Sequence, residues 1–430
     1  MFLKFGSVMW ESLVYRFLKQ LIKVGSVTVI YGEKQCSFGD PKSVYKGTLI
    51  VKNPNFFSRV VKEGEIGFGE SYVAKEWESP SIEELLVVFA LNYKNFSNSK
   101  LIRITNAFKS IKEFIKNKYH TFTKESSIKG VGQAYNVGND FFRHMLGETM
   151  LYTCAFFRKN EDSLEEAQNH KLDVIIQKLG LSRDHKVLDI GCGWGTLLRE
   201  IYQRYGCDVR GIALADEQIK FCKNAHSFGQ FDYLDYRDLE EQEQYDRVVS
   251  VGMLEHVGKE YWQTYADKVA QVLKSNGRAL LHTMMKSPIL NEGLVPDGKQ
   301  WLFIDKWVLQ CWQFPHDHDL LSALHATGKL RVIHQEKWGV HYGETLRRWI
   351  QNIRKNTNEI LKTHSEEIIR AFEYSWACGA ACFSTGVFDL WQIVVEKSPC
   401  TLNASVFDPR AEADHQTRNS SSRSEVSQRN

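Results

Sequence analysis

Residues 187–197 read VLDIGCGWGTL: Val187, Leu188 and Ile190 around an acid, Asp189, then glycine at every second position, Gly191, Gly193 and Gly195. The apolar run predicts a buried strand, and the bare backbone behind it predicts a tight turn into a helix. Glycine in such a turn lets backbone N–H groups come close to a ligand at a helix N-terminus. The dinucleotide fingerprint Gly-x-Gly-x-x-Gly does not fit, because the third glycine comes one residue early and Thr196 stands in its place. The next strand, in VRGIALADEQ (209–218), also ends without an acid for a nicotinamide ribose.

Strand-like and helix-like patterns alternate downstream: DVRGIAL (208–214), FDYLDYRDL (231–239), YDRVVSVGML (245–254) and GRALLHTMM (277–285). That rhythm predicts an α/β fold with a doubly wound, mostly parallel sheet over residues 131–398. Upstream, Trp10, Val14, Phe17, Leu21 and Val24 recur at helical spacing. SVTVIYG and GTLIVKN read as strands, with GEKQCSFGDPKS (32–43) as turn between them. Pro80 and Ser81 start a further helix. Residues 1–95 are therefore read as a smaller α+β N-terminal domain. The segment 399–430 is polar and serine-rich and is expected to be disordered; its two Asn-x-Ser sequons, at Asn403 and Asn419, are taken as chance.

Between Leu91 and Gly130, nine Lys or Arg face two acids, Glu113 and Glu125, and Ile104, Phe108, Ile111 and Ile115 form a helical stripe. A basic amphipathic helix over 96–130 suits either a linker with a solvated face or the surface of an anionic bilayer. The net charge of +3 leaves no general basic field, and no nucleic-acid partner is expected. Nine scattered cysteines with no Cys-x-x-Cys suggest reduced thiols in a cytoplasmic setting and no metal site. No apolar run approaches the roughly 18 residues of a membrane span.

Asp189-x-Gly191-x-Gly193-x-Gly195 resembles motif I of S-adenosylmethionine-dependent methyltransferases. Together with GFGESYVAKEW (67–77), YNVGNDFFRHMLGETMLYTCAFF (135–157), SLEEAQNHKLDVIIQKLGL (163–181), SVGMLEHVG (250–258), LLHTMM (280–285) and FDLWQIV (388–394), it makes the chain similar to the cyclopropane-fatty-acyl-phospholipid synthase family over about residues 40–396. The resemblance implies a Rossmann-like class I methyltransferase domain behind a lipid-associated N-terminal domain. It also implies methyl transfer from S-adenosylmethionine to a cis double bond of a phospholipid acyl chain, giving a cyclopropane. The enzyme is then expected to be peripheral on a bilayer surface, with a homodimer left open.

Such a reaction passes through a carbocation and ends by losing a proton, so it needs a dry pocket and a base. Phe156, Phe157, Trp301, Phe303, Trp307, Trp312 and Phe314 are candidates for the lining. The resemblance implies a bound bicarbonate ion as base, held by Cys154, Glu255, His282, the backbone of Met284, and Tyr342. It assigns the cofactor to Tyr152, Thr153, Asp189, Gly191, Gly193, Gly195, Leu214, Gln218, Asp235, Tyr236 and Arg237. The chain departs from the family at Ala134-Tyr135-Asn136, in the segment 301–319, and at Gly379, which replaces a late family cysteine between Cys378 and Cys382. The rival readings are an acyl methyltransferase leaving a methyl branch, a small-molecule N-methyltransferase on the same fold, and an inactive lipid-binding homologue.

Overall fold

The computed structural model describes residues 2–98, 122–135, 137–287, 302–309 and 312–398. Most of the basic run, Asn136, Trp301 and the tail 399–430 lie outside the described residues.

The N-terminal helix Phe2–Leu21 buries Val14, Leu18 and Leu21, while Phe17 is half-buried and Val24 lies exposed past the helix end. Four strands follow: β1 (Ser26–Tyr31), β2 (Lys34–Gly39), β3 (Lys46–Val51) and β4 (Trp77–Glu78), in the order β2-β1-β3-β4. The segment 32–43 is not all turn. Gly32 and Glu33 turn the chain and β2 returns antiparallel to β1, with Val29 opposite Cys36. The pattern of β2 is only half apolar, and what holds it is tertiary: Phe38 rests on Tyr15 with ring centroids 5.4 Å apart. Ser81 caps the helix Ile82–Leu91 as expected, accepting from the Glu84 N–H at 3.2 Å.

The second sheet carries β5 (Lys186–Ile190), β6 (Asp208–Ala213), β7 (Gln230–Tyr233), β8 (Tyr245–Val251), β9 (Leu273–Lys286), β10 (Leu330–Lys337) and β11 (Phe388–Lys397), in the order β10-β11-β9-β8-β5-β6-β7. From β5 to β9 the neighbours are parallel; β11 is antiparallel to both β9 and β10. Leu188 and Ile190 of β5 enter the core on one face and Val187 the core on the other. Burial on both faces is why this strand reads as one apolar run. The helix that feeds β5, Leu164–Leu179, opens with a reciprocal cap: Ser163 Oγ accepts from the Glu166 N–H at 3.2 Å, and the Glu166 carboxylate accepts from the Ser163 N–H at 2.8 Å. Among the described residues no helix is long and apolar enough to cross a membrane.

The long helix Glu366–Ser384 packs against Asn55–Val73 and Ile82–Leu91. Arg370 fastens this contact. Its Nε donates to the Tyr72 carbonyl at 2.8 Å, one Nη pairs with Glu78 at 2.9 Å, and the guanidinium lies 3.9 Å from the Tyr72 ring centre. The Tyr72 hydroxyl in turn donates to Glu373 at 3.2 Å. Arg370→Met keeps the stem and removes the charged hydrogen bonds, which contribute about 1.5–3 kcal/mol each. A loss of about 3 kcal/mol in chemical unfolding is expected, with hydrogen exchange quickened first in β3 and β4. A change under about 0.5 kcal/mol would show that the contact is incidental.

Candidate active site

The turn after β5 answers to its glycines. Gly191, Gly193 and Gly195 all have positive φ, at 92°, 55° and 79°, a region that costs a side chain about 1–2 kcal/mol. The N–H groups of Gly191 and Cys192 bind the Ile212 carbonyl at 2.8 and 3.1 Å, tying the turn to the end of β6. The helix Thr196–Tyr205 starts immediately behind, anchored by the Thr196 hydroxyl on the Thr149 carbonyl at 2.8 Å.

A cleft opens above this turn at the C-terminal ends of the parallel strands, where open α/β sheets hold ligands. Tyr152, Thr153, Asp189, Gly191, Gly193, Leu214, Gln218, Asp235, Tyr236 and Arg237 all line it. Gly195 does not. A β-carbon there would meet the His226 ring at 2.9 Å, so its bareness serves the packing below the turn. A β-carbon at Gly193 would meet nothing within 4 Å. Asp189 is buried with one oxygen lacking a partner, and burial pushes its carboxyl up to about 7. Asp235 is instead closed on Arg237, whose Nε and Nη2 reach its two oxygens at 2.8 and 2.7 Å.

The four residues expected to carry the chemistry lie outside the lining of this cleft and form a second, buried layer beside it. Glu255, in a single turn after β8, is 1% exposed; its Oε1 accepts from the Met284 N–H at 2.7 Å and its Oε2 has no partner. Burial pushes the acid up to about 7. His282 is two residues before Met284 on β9 and equally buried. The Lys178 ammonium fixes the Gln392 Oε1 at 2.5 Å, so the Gln392 amide nitrogen faces His282 Nδ1, 3.0 Å away. Nδ1 therefore accepts, and the proton of the neutral ring sits on Nε2, which is buried without a partner. Burial and the charges of Lys171 and Lys178 hold His282 well below the usual histidine range.

Cys154 and Tyr342 join through Trp338. The Cys154 thiol is fully buried, 3.8 Å from the Trp338 carbonyl, and burial raises its pKa. Tyr342 lies one turn beyond Trp338, with its ring 4.8 Å from Phe383, and the His282 ring stands edge-on to Trp338 at 5.5 Å. The aromatic candidates among the described residues, Phe156, Phe157, Phe303, Trp307, Trp312 and Phe314, all lie in or against one hydrophobic cluster. Phe303 packs on Tyr374, Trp307 donates to Glu70 at 2.8 Å, Trp312 meets Phe314, which in turn meets Phe388, and Phe156 stacks near Trp338. Gly379, in place of the family cysteine, faces Leu346; a β-carbon there would lie 2.8 Å from its side chain.

Sequence reading missed Gln392, the partner of His282 110 residues away, and Lys171, which lines the cleft and is 1% exposed. A signal for Lys171 existed: it shares the buried face of its helix with Leu164, Ala167, Gln168, Leu172 and Ile175. Gly193→Ala puts a methyl group into the cleft at a strained φ. It is expected to cost S-adenosylhomocysteine roughly tenfold or more in affinity by calorimetry, with thermal stability nearly kept; unchanged affinity would remove the loop from the binding site.

Comparisons with known proteins agree with this geometry. The family described as mycolic acid cyclopropane synthetase matches residues 120–393. The cyclopropane-fatty-acyl-phospholipid synthase of Escherichia coli (strain K12) is 33% identical over 361 residues, covering 81% of this chain and 87% of that protein. The tuberculostearic acid methyltransferase of Mycobacterium tuberculosis is 27% identical over 370 residues, covering 82% and 84%. The crystal structure of a mycolic acid cyclopropane synthase complexed with SAH and CTAB superposes with a TM-score of 0.58 at 27% identity, covering 63% of this chain and 98% of that one. With the glycine turn, the cleft above it and these matches together, the chain is an S-adenosylmethionine-dependent methyltransferase of the mycolic acid cyclopropane synthetase family.

Proposed function

We propose that the enzyme adds the methyl group of S-adenosylmethionine across a cis double bond of an unsaturated phospholipid acyl chain and closes it to a cyclopropane. The observation that carries the reading is the pair of buried polar atoms beside the cofactor cleft, Glu255 Oε2 and His282 Nε2, neither of which has a partner. A buried group left so costs about 1–3 kcal/mol, which a ligand with both an acceptor and a donor would recover. Bicarbonate fits: its oxygens suit the His282 Nε2–H and its own O–H suits Glu255 Oε2. S-Adenosylmethionine supplies an electrophilic methyl, and bicarbonate, when held there, supplies a base for the proton that the added methyl must lose.

The chain's own residues set the conditions. Lys178 and Gln392 keep His282 neutral and aimed as a donor. The Met284 N–H holds one Glu255 oxygen and leaves the other facing the second layer. Trp338, buried between His282 and Phe156, keeps water from that layer, which protects a carbocation. The relatives named as cyclopropane-fatty-acyl-phospholipid synthase and fatty acid methyltransferase support an acyl-chain substrate over a small amine. Glu255→Gln and His282→Ala are expected to lose roughly a hundredfold or more in turnover on unsaturated liposomes, with S-adenosylhomocysteine affinity kept within a few-fold. Near wild-type turnover in both would mean that the proton leaves elsewhere.

Access to such a substrate is proposed at a bilayer surface, through the basic segment 96–130. Lys124 is already paired with Asp238, so the remaining cations of that run would carry the contact. Surface charges are screened within about 8 Å at physiological salt. Sedimentation with anionic liposomes should weaken as salt rises, and weaken further in the triple variant Lys109→Glu, Lys112→Glu, Lys116→Glu. Indifference to both would leave the segment a linker.

A further inference from the structure

Glu255 sits in a stretch with little regular structure. Two single turns, Leu254–His256 and Lys259–Tyr261, flank Gly258, whose φ is 80°. Leu254 and Val257 anchor the first turn in the hydrophobic core. The Met284 N–H holds one oxygen of the Glu255 carboxylate at 2.7 Å, and the other oxygen has no partner. Gln313 clasps the two turns from outside. Its backbone N–H donates to the Glu255 carbonyl at 2.7 Å, and its side-chain Oε1 accepts from the Lys259 N–H at 2.8 Å. One residue thus ties the chain at Glu255 to the chain four residues on.

The backbone of Gln313 is fixed by its neighbours. Phe314 is buried with its ring 5.0 Å from Phe388, and the Lys286 N–H donates to the Pro315 carbonyl at 2.9 Å. Lys286 ends β9, two residues past Met284. The clasp and the Met284 N–H therefore hang from the same strand end and act on the same residue, one on its backbone and one on its carboxylate. We infer that Gln313 is a positioning residue for Glu255: by holding the turns together it keeps the unpartnered Oε2 aimed into the second layer. This rests on Glu255 taking part in the reaction. A reacting group displaced by about 1 Å costs on the order of a hundredfold in rate, so a clasp on its backbone bears directly on turnover. Gln313 does not line the cofactor cleft. Met253 and His256 of the first turn do, and the buried Leu254 and Val257 hold that side of the turn without it.

The test is turnover of the intact chain on unsaturated liposomes, with bicarbonate held fixed, beside calorimetry with S-adenosylhomocysteine. Gln313→Met keeps the length and the backbone N–H and removes the acceptor. It is expected to lose about tenfold in kcat, with S-adenosylhomocysteine affinity and the KM for S-adenosylmethionine kept within about threefold. Gln313→Glu restores an acceptor at the same reach and should return kcat to within about threefold of wild type. In a Glu255→Gln background, Gln313→Met should cost less than about twofold more, because the carboxylate it positions is gone. Should Gln313→Met fail to fold, Lys259→Pro removes the same hydrogen bond from the donor side, at the first position of its turn, where proline is tolerated, and should show the same loss. Full turnover in the variant that folds would overturn the inference. So would equal fractional losses with and without the Glu255 carboxylate, a Gln313→Glu as slow as Gln313→Met, or cofactor affinity falling in step with kcat, each of which makes the clasp merely structural. Near wild-type turnover in Glu255→Gln alone would instead overturn the reading beneath it.

Discussion

The register of β9 between β8 and β11 is the constraint on which the site depends. It sets His282 opposite Val251 on one side and Gln392 on the other. Because side chains alternate, a slip of one residue would turn His282 and Met284 to the opposite face together. The same register brings the Met284 N–H to Glu255 and lets the Gly252 N–H bind the His282 carbonyl at 2.8 Å. A long antiparallel pairing, Phe388 with Lys286 through Glu396 with Arg278, fixes it. The chemistry therefore rests on backbone pairing more than on any single side-chain contact.

Two layers follow from that frame. The outer one is a cleft with small, bare backbone and two buried carboxylates, Asp235 closed on Arg237 and Asp189 with one oxygen unpartnered, suited to a ligand that must come close to peptide groups. The inner one is polar but dry, with an acid held up to about 7 and a histidine held neutral. Thr153 and Cys154, adjacent in sequence, belong one to each layer. Nothing in either layer relies on an ion pair exposed to solvent, so salt should act on surface association and leave the inner layer alone.

The sheet was legible in the sequence because burial on both faces leaves apolar runs, and the turn because glycines at positive φ have few substitutes. The strand β2 was not, since its place is decided by Phe38 meeting Tyr15 and not by its own pattern. Ten of the eleven residues expected to border the cofactor line the cleft; Gly195 does not, because its backbone freedom serves contact with His226 instead. Gln392 was out of reach of local reading, its meaning arising only when β11 pairs with β9. Lys171 reads as an ordinary solvated helix charge until its neighbours on the buried face are counted. The aromatic residues were legible as apolar bulk, but which rings they meet within one cluster is a product of tertiary packing.

The central claim is a ring closed on a methyl carbon that has lost one hydrogen. Unsaturated phospholipid liposomes incubated with the wild-type enzyme and S-adenosylmethionine deuterated in its methyl group test it directly, by mass and proton spectra of the released fatty esters. A cyclopropane ring whose new carbon keeps two deuterium atoms is the predicted product. A methyl branch that keeps all three, or esters returned unchanged, would contradict the account.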